Sequence, residues 1–540
     1  MATNTSSFAQ QKLAELNTDG HANLIENFLL ACETYGDKPA YSSLGLETSF
    51  TEIEKLSRNF ASWLVNVANL EQGDRIAVQL PNLTQYPVVA WGALRAGIIL
   101  VNTNPLYTER EVLHQFNDSG AKALVVLAEF LPMAEKVVPQ TSIEHVIVTN
   151  VFDMIEAQPA PESSLKNLTT LPDALAAGAE HALGDVKLTM DDIAVLQYTG
   201  GTTGVAKGAM LSQGNLFAGS RQSAALMELT AIDDEIMIGP MPLYHVYGFT
   251  VHVISGLFAG SLSVLIANPR DIDSLISAMK TYTMTSLAGV NTLFTALMQH
   301  PEFDEIDFSR LKGTIAGGTA LVKEIAEEWS ERTNSEIYEG YGLSETSAAL
   351  TCNAYEKRQL GTVGQAMIAQ EVKVVDDQGN TLPAGERGEL LVRGPQVMQG
   401  YWQRPEATAE SIDKDGWFAT GDVAIIQQDG FISIVDRLKD MILVSGFNVY
   451  PNEIEDVVYT HPDIIEAAAV GIPDSKSGEA VKLFVVSTNP KLTEDDLRNY
   501  CREQLTAYKV PRHIIFSEDL PKSPVGKILR RELRDLAVKG

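Results

Sequence analysis

Apolar strands alternate with amphipathic helices in the first part of the chain. Leu56, Phe60, Leu64 and Val67 recur at helical spacing and lead into an apolar run that ends at Pro81. Strands that alternate with helices indicate parallel sheets covered on both faces, so this part of the chain predicts an α/β fold. The same pattern continues with helices predicted at 88–95 and from Glu109, and strands predicted at 75–80, 98–101 and 123–127.

The pattern changes after about Ile368, where shorter strands are followed by turn signals. A compact helix–strand–strand–helix–strand pattern begins at Pro451. We therefore predict a large N-terminal domain, 1–436, of αβ-layered subdomains plus a β-rich subdomain, a hinge at 437–440, and a small mobile α+β C-terminal domain, 441–540. The elements predicted for the C-terminal domain are a helix at 452–459, strands at 465–471 and 480–487, a helix at 494–504 and a strand at 513–517.

Size and charge narrow the function classes. The chain has 540 residues, more than one hydrophobic core usually organises, so two domains are expected. Its 70 acidic and 41 basic side chains give a net charge of -29, which repels nucleic acid and anionic lipid surfaces. Cys32, Cys352 and Cys501 are too few and too scattered for a disulfide framework or a cysteine metal site. Together with an N-terminus unlike a signal peptide, this favours the cytoplasm.

One uncharged stretch, Gly248–Ala267, is long enough to span a bilayer, which needs about 20 residues. It contains His252, three glycines and several hydroxyl side chains, so we interpret it as a buried element of the core and not as a membrane helix. Peripheral contact with a membrane stays open, because it needs only a small apolar patch.

A motif rich in glycine and threonine, Tyr198–Gly208, follows a predicted strand at 193–196 and precedes a helix predicted from Gln213. Glycines let the backbone approach an anion, hydroxyls donate hydrogen bonds and a lysine adds positive charge, so a phosphate ligand is expected. The order around the lysine differs from that of a Walker A loop. The residues expected to bind are Thr199, Gly200, Gly201, Thr202, Thr203, Gly204 and Lys207.

This motif resembles the phosphate-binding signature of the adenylate-forming superfamily, which includes acyl-CoA synthetases, adenylation domains and beetle luciferases. The resemblance covers nearly the whole chain. Two segments, Asp415–Arg437 and Gly446–Asn452, are most similar to bacterial medium- to long-chain fatty acid–CoA ligases. The other signatures occur in the family's order: Met241–Gly248, Ala316–Thr319, Tyr341–Thr346, Gly416–Asp422, Asp436–Lys439, Ser445–Glu453 and Pro521–Lys527.

The resemblance implies an ATP-dependent fatty acid:CoA ligase. Such enzymes join a carboxylate to ATP, release pyrophosphate, and then exchange AMP for the thiol of coenzyme A. The expected small molecules are a fatty acid, ATP, Mg²⁺ and CoA. The resemblance also suggests a homodimer.

The resemblance assigns roles to individual residues. Lys527 matches the lysine that bridges the attacking carboxylate and the α-phosphate; spacing alone would instead place it on a basic surface helix with Arg530 and Arg531. Glu345 matches the residue that helps to hold Mg²⁺, which prefers oxygen ligands. Ser344 is expected to face phosphate, and the preceding Tyr341 to stack on adenine. Further nucleotide contacts are expected at Gly318, Thr319, Ala320, Gly340 and Gly342.

Other roles concern the ribose, the hinge and the acyl group. Asp422 matches the acceptor of the ribose hydroxyls, and Arg437 a further nucleotide contact. Lys439 occupies the hinge position, about which the small domain is expected to rotate between the two reactions. By the same resemblance, Ser445 and Gly446 face the pantetheine channel, while His245, like Thr199, is assigned to the catalytic set and lies in the segment that lines the acyl pocket. A core histidine is the alternative for His245.

Several activities stay open. An aryl or short-chain acid:CoA ligase, a fatty acyl-AMP ligase that loads a carrier protein, and a luciferase-like oxygenase share the adenylation motifs. A non-catalytic nucleotide sensor belongs to a different class. The sensor is disfavoured because Lys527, Glu345 and Asp422 are all present.

Overall fold

The chain separates into two units whose boundary crosses the sequence more than once. The computed structural model describes residues 7–199, 206–227, 234–355, 357–445, 447–474, 476–523 and 526–539. The first unit comprises Met1–Glu371 and Arg393–Phe418, and the second comprises Val372–Val392 and Ala419–Gly540. The segment predicted as a hinge, 437–440, lies inside the second unit, and its role as a hinge stays a prediction.

Two large sheets form the first unit. The seven-stranded sheet is parallel except for its last pair, which is antiparallel. Its strands are almost fully buried, as expected for a sheet covered by helices on both faces. In spatial order they are Leu168–Thr170, His145–Thr149, Ala123–Leu127, Arg75–Gln79, Ile99–Asn102, Ile193–Thr199 and Lys207–Ser212.

The second sheet has nine strands, with a parallel centre and antiparallel strands at both ends. A parallel centre brings the carboxyl ends of its strands to one edge, where α/β proteins bind ligands. In spatial order the strands are Gln365–Ala366, Thr351–Cys352, Ile337–Tyr341, Gly313–Ala316, Ser286–Gly289, Ile236–Gly239, Leu262–Leu265, Pro39–Ser43 and Leu46–Ser49.

The helix Phe50–Asn66 shows how local sequence sets an element. Ser49 accepts a hydrogen bond from the Glu52 N–H, and the Glu52 carboxylate accepts one from the Ser49 N–H, so a capping box fixes the first turn. Its buried side chains follow the helical period and include Ile53, Phe60 and Leu64. The other main helices of the first unit are Ser7–Leu16, Leu24–Tyr35, Gln85–Arg95, Glu109–Ser119, Leu131–Val137, Leu171–Ala179, Gln213–Met227, Ile272–Thr281, Asn291–Gln299, Lys323–Thr333 and Pro405–Ser411.

The uncharged stretch predicted as a buried element is indeed largely buried. It folds as a π-helix, Phe249–Ser255, between two short α-helical turns and is followed by the strand Leu262–Leu265. Across the described ranges, no helix has both the length and the apolar character that crossing a bilayer requires.

A four-stranded sheet and a five-stranded sheet belong mainly to the second unit. The four-stranded sheet runs Glu371–Val375, Arg387–Arg393, Phe418–Ile426 and Ile432–Arg437, which is the predicted β-rich subdomain. The five-stranded sheet is formed by Phe447–Val449, Ile442–Val444, Gly478–Ser487, Ile464–Asp474 and His513–Phe516.

Helices Pro451–Tyr459, Glu494–Gln504 and Arg530–Lys539 complete the second unit. The predicted helix–strand–strand–helix–strand order is present, and the helix at 494–504 has the predicted bounds. The hairpin strands at 442–449 are an addition to the prediction, and the last helix was expected only as the alternative context of Lys527. The mixed α/β class, with a large first part and a small C-terminal part, is confirmed.

Close packing of two helices makes one glycine of the first unit irreplaceable. A Cβ at Gly178, in the helix Leu171–Ala179, would lie 1.9 Å from the carbonyl oxygen of Asn59. Because backbone must then shift, we expect Gly178→Ala to lower the free energy of unfolding by about 1–3 kcal/mol. Gly184→Ala is the matched control, since nothing lies within 4 Å of its Cβ. Urea unfolding of both variants tests this, and equal midpoints would contradict it.

Candidate active site

The two ends of the glycine-rich motif lie side by side. Strand Ile193–Thr199 pairs antiparallel with strand Lys207–Ser212, and Thr199 is the register partner of Lys207. The residues expected to bind phosphate at Gly200, Gly201, Thr202, Thr203 and Gly204 lie outside the described residues. The structure therefore places only the two ends of the motif, on adjacent antiparallel strands.

Helix Glu109–Ser119 fixes the base of this motif. The Tyr198 hydroxyl donates to Asp118 Oδ2 at 2.8 Å, and Asp118 also forms an ion pair with Arg404. His114 Nε2 lies 3.0 Å from the carbonyl oxygen of Ala206, within hydrogen-bonding distance. Burial, followed by the bond to Asp118, raises the pKa of Tyr198, so this phenol is a neutral donor. Local sequence does not indicate these contacts, because they join residues that are 80 to 286 positions apart.

One tyrosine links the predicted metal ligand to the predicted phosphate-binding lysine. Glu345 is buried in the short 3₁₀-helix Ser344–Thr346, and its Oε1 accepts a hydrogen bond from the Tyr401 hydroxyl at 2.9 Å. The ammonium of Lys207 lies 5.0 Å from the centroid of the Tyr401 ring, within the range of a cation–π interaction. Tyr401 was not predicted, because nothing in its local sequence points to residues so distant along the chain.

Backbone hydrogen bonds hold this group together. Met398 N–H donates to the Glu345 carbonyl at 2.8 Å, and Trp402 N–H donates to the Gly208 carbonyl at 2.8 Å. Segment 398–402 therefore connects the strand that begins with Lys207 to the turn that carries Glu345. The separation between the strand that begins with Lys207 and the predicted metal ligand, Glu345, is thus set by main-chain bonds.

The residues predicted to contact the nucleotide here lie at or just after the carboxyl ends of two neighbouring parallel strands, Gly313–Ala316 and Ile337–Tyr341. This is the edge at which open α/β sheets bind ligands. A Cβ at Gly342 would lie 1.5 Å from the Ala348 carbonyl oxygen, so the turn after Tyr341 requires glycine. The predicted residues at this edge are Gly318, Thr319, Ala320, Gly340, Tyr341, Gly342 and Ser344.

The loop after the first of these strands is held from two sides. Asn291 Nδ2 donates to the Ala320 carbonyl at 2.6 Å, and Leu321 N–H donates to Glu339 Oε1 at 3.0 Å. Gly318 has φ +84°, a conformation that favours glycine. Neither Asn291 nor Glu339 was predicted, although both shape a loop that was.

His245 is half-buried and caps a helical turn. Its Nδ1 accepts a hydrogen bond from Tyr247 N–H at 3.3 Å, while the Tyr247 hydroxyl donates to the Ile315 carbonyl at 3.2 Å. The segment that carries His245 thus contacts strand Gly313–Ala316, one of the two strands that end beside the residues predicted to contact the nucleotide. A capping role is compatible with either interpretation of this histidine.

In the second unit, the residue predicted to bind ribose is buried beside a guanidinium. Asp422 and Arg437 are register partners on adjacent strands, and Arg437 Nε lies 3.1 Å from Asp422 Oδ1. The Asp422 side chain is only 3% exposed. A buried carboxylate fixed by its neighbour is oriented to accept hydrogen bonds from a pair of hydroxyls.

Lys527 belongs to the same electrostatic environment. It is half-buried, and its backbone N–H and C=O bond to Ser523. Burial, followed by repulsion from Arg437, lowers the pKa of Lys527 to about 8, and attraction to Asp422 opposes this shift. Three predicted residues, Lys527, Asp422 and Arg437, are therefore coupled. The alternative prediction, which placed Lys527 on a basic surface helix, is not met, because the helix begins only at Arg530.

The remaining predicted residues of the second unit are more exposed. Lys439 and Ser445 are exposed, and Ser445 has φ 53° in the left-handed region. Gly446 lies outside the described residues. The described ranges contain no group of three or more His, Cys, Asp or Glu side chains placed to hold a metal ion, so a metal here would need ligands from a substrate as well.

Comparisons with known proteins agree with this geometry. The profile of the AMP-binding enzyme family matches residues 28–402, and that of the AMP-binding enzyme C-terminal domain matches residues 453–527.

Named relatives match along almost the whole chain. The long-chain-fatty-acid–CoA ligase of Escherichia coli O6:H1 is 46% identical over 539 residues, covering 97% of this chain and 96% of that protein. The long-chain-fatty-acid–CoA ligase of Haemophilus influenzae is 44% identical over 538 residues, covering 96% of each. The crystal structure of ATP-bound MatB from Rhodopseudomonas palustris is similar with a TM-score of 0.85 at 30% identity, covering 95% of this chain and 99% of that one. The chain belongs to the AMP-binding enzyme family.

Proposed function

We propose that the protein is an ATP-dependent fatty acid:CoA ligase. It forms an acyl-adenylate and pyrophosphate from a fatty acid and ATP, and then acyl-CoA and AMP from the adenylate and coenzyme A. The observation that carries the proposal is the full-length similarity to relatives that bear this activity in their names. The arrangement of Lys207, Tyr401 and Glu345, and the coupling of Lys527 to Asp422, support it.

The first reaction has to bring two anions together. A carboxylate and a phosphate charge about 4 Å apart repel each other by roughly 4 kcal/mol at an effective dielectric constant of 20. We assign Lys527 to the neutralisation of this repulsion, because its compact ammonium suits two acceptors. With a pKa of about 8, this lysine is mostly protonated at neutral pH although it is half-buried.

Magnesium fits the carboxylate of Glu345. Its hard oxygen, oriented by the Tyr401 hydroxyl, is the ligand type that Mg²⁺ prefers when substrate phosphates complete the shell. When bound, the ion neutralises phosphate charge and polarises the phosphoryl group. Lys207, held over the Tyr401 ring, would add a cation for the same phosphates.

The other residues orient the nucleotide. Asp422, fixed by Arg437, accepts hydrogen bonds from the ribose hydroxyls, and Tyr341 offers an aromatic face to adenine. Thr199 and the glycines that follow it supply donors to phosphate.

The second reaction uses the same adenylate but a different nucleophile. We assign the hinge to 437–440, with Lys439 at its centre, and the contacts to pantetheine to Ser445 and Gly446. Withdrawal of Lys527 after adenylate formation would make room for the thiol. His245 is assigned to the acyl pocket. Association with a membrane surface and pairing with a second copy stay predictions.

Substrate dependence of the reaction tests the function. We expect ATP/pyrophosphate exchange and CoA-dependent AMP release to rise from acetate to oleate, because each buried methylene adds ~0.8 kcal/mol of binding. A panel of straight-chain acids, with benzoate and cinnamate as aryl controls, measures this preference. Equal or greater turnover with the aryl acids would point to the aryl alternative, and no exchange with any acid would leave only a nucleotide sensor.

Removal of the Lys527 ammonium separates the two reactions. We expect Lys527→Ala to lower adenylate formation by roughly 10²–10³-fold, because the repulsion between the reactants is no longer neutralised. Thioester formation from supplied acyl-adenylate and CoA should change little. Lys522→Ala is the matched control, since Lys522 is paired with Glu466 and Asp519 and has no assigned role. Equal loss of both reactions in Lys527→Ala would refute the assignment.

The lowered pKa of Lys527 has a measurable consequence. A group with a pKa of about 8 keeps its proton below that pH and loses it above, whereas an ordinary lysine stays charged to about pH 10. Adenylate formation should therefore decline as the pH rises through about 8, which exchange kinetics from about pH 6.5 to 10 would measure. Lys527→Arg, charged throughout this range, should show a flat profile whatever its absolute rate. A flat wild-type profile would argue against an ammonium in this step.

A further inference from the structure

Residues on the two sides of the proposed hinge are joined by direct hydrogen bonds. Asp436 is the last residue before the proposed hinge and lies in strand Ile432–Arg437, and Asn452 lies in the first turn of helix Pro451–Tyr459, which follows the hinge. Asn452 N–H donates to Asp436 Oδ2 at 2.9 Å, and Asn452 Nδ2 donates to the Val435 carbonyl at 2.9 Å. Both contacts join a strand to a helix within the second unit. Each links a residue that precedes 437–440 to a residue that follows it.

Arg530 strengthens this junction. Its Nη1 lies 3.6 Å from Asp436 Oδ1 and 3.7 Å from Asp440 Oδ2, and its Nη2 lies 2.5 Å from Glu455 Oε2. The Asp436 side chain is fully buried, and that of Arg530 is 17% exposed. A buried carboxylate needs such partners, because an unpaired buried charge is strongly unfavourable. Burial raises the pKa of Asp436 to about 6 although Arg530 opposes the shift, so the carboxylate is ionised at neutral pH.

A second contact also joins a residue that precedes the proposed hinge to the first turn of helix Pro451–Tyr459. Arg387, on a strand that precedes the hinge, forms an ion pair with Glu453 at 3.0 Å. Its guanidinium also lies 4.5 Å from the centroid of the Tyr450 ring. The first turn of helix Pro451–Tyr459 is thus held at two points by residues that precede the hinge.

Other ion pairs of this network do not cross the hinge. Arg530 with Glu455, and Arg534 with Asp440 at 2.8 Å, join residues that all follow Lys439. These pairs would move together if the segment after the hinge rotates, whereas the contacts of Asp436 would break. Arg530 follows Lys527 by three residues, so its position constrains the position of the lysine.

We propose that Asp436, Asn452 and Arg530 form a latch that holds Lys527 beside Asp422 and Arg437 for adenylate formation and opens for the thioester step. These three are positioning residues, and the inference rests on the proposed function. Because the latch lies on the hinge and not on a substrate, its loss should change the balance between the two reactions.

The two half-reactions test the latch. Asp436→Asn removes the charge that faces Arg530 with little change of shape, and we expect adenylate formation to fall roughly tenfold. Thioester formation from supplied acyl-adenylate should be unchanged or faster. Asn452→Ala removes the side-chain bonds to the Val435 carbonyl and to Arg530, and it should shift the balance in the same direction. This variant keeps the test available if Asp436→Asn does not fold.

Arg531→Gln is the matched control, because Arg531 is the exposed neighbour of Arg530 and should leave both rates unchanged. Equal loss of both half-reactions in the latch variants, or no change in either, would overturn the proposal.

A measurement without turnover separates this inference from the function. Spin labels at Asp377→Cys and Glu503→Cys, both exposed and on opposite sides of the hinge, report its opening, since Cys32, Cys352 and Cys501 are buried. With no other substitution, we expect one main distance between the two spin labels. Adding Asp436→Asn should produce a second population of distances. An identical distribution would reject the latch. Failure of every acid to support exchange would reject the ligase function and leave the distance result to decide the latch.

Discussion

The electrostatic coupling between Lys527 and the Asp422–Arg437 pair is the interaction on which the proposed chemistry depends. Arg437 orients the carboxylate but repels the ammonium, whereas Asp422 attracts it. The lysine therefore has a lowered pKa that is still high enough to keep it mostly charged at neutral pH. An ammonium in this condition is weakly satisfied by the protein, so an anionic substrate gains more from it than from a surface lysine.

In the first unit, the proposed function requires a fixed spacing of charges along a triphosphate. Lys207 and Glu345 carry opposite charges and are expected to act on the same phosphates, one directly and one through Mg²⁺. Tyr401 contacts both of them without neutralising either, because burial and Glu345 keep its phenol protonated by raising its pKa. Main-chain bonds from segment 398–402 hold this spacing, so it does not depend on flexible side chains alone.

Much of the fold follows from local pattern. The strand at 123–127 and the helix at 494–504 have the predicted bounds, because hydrophobic period and a capping threonine act within a few residues. The short hairpin at 442–449 was not predicted, and a helix at Arg530 was expected only as the alternative context of Lys527. The hairpin strands have three residues each, too few for an alternating pattern to be recognised.

Sequence motifs indicated some residues of the candidate site but missed others, for a physical reason. Thr199 and Lys207, or Tyr341 and Glu345, lie close in sequence, so a motif reveals them together. Tyr401 acts through a residue 56 positions away, and such a pairing exists only after the chain has folded. Arg530 illustrates the same limit, since its basic neighbours indicate a solvent-facing helix, whereas three distant carboxylates draw it into a half-buried network.

Buried ion networks contribute little net stability, because desolvation offsets most of the attraction, but they are specific in geometry. This property suits a contact that has to break in every catalytic cycle. An apolar contact of similar area at Asp436 would stabilise one arrangement with no directional preference and would expose apolar surface on opening. A carboxylate that separates from Arg530 and Asn452 can instead form hydrogen bonds with water. Hydration of Asp436 would therefore stabilise the open arrangement. Polar residues at the proposed hinge would thus allow two arrangements of similar free energy, which is what an enzyme needs when one site serves two reactions.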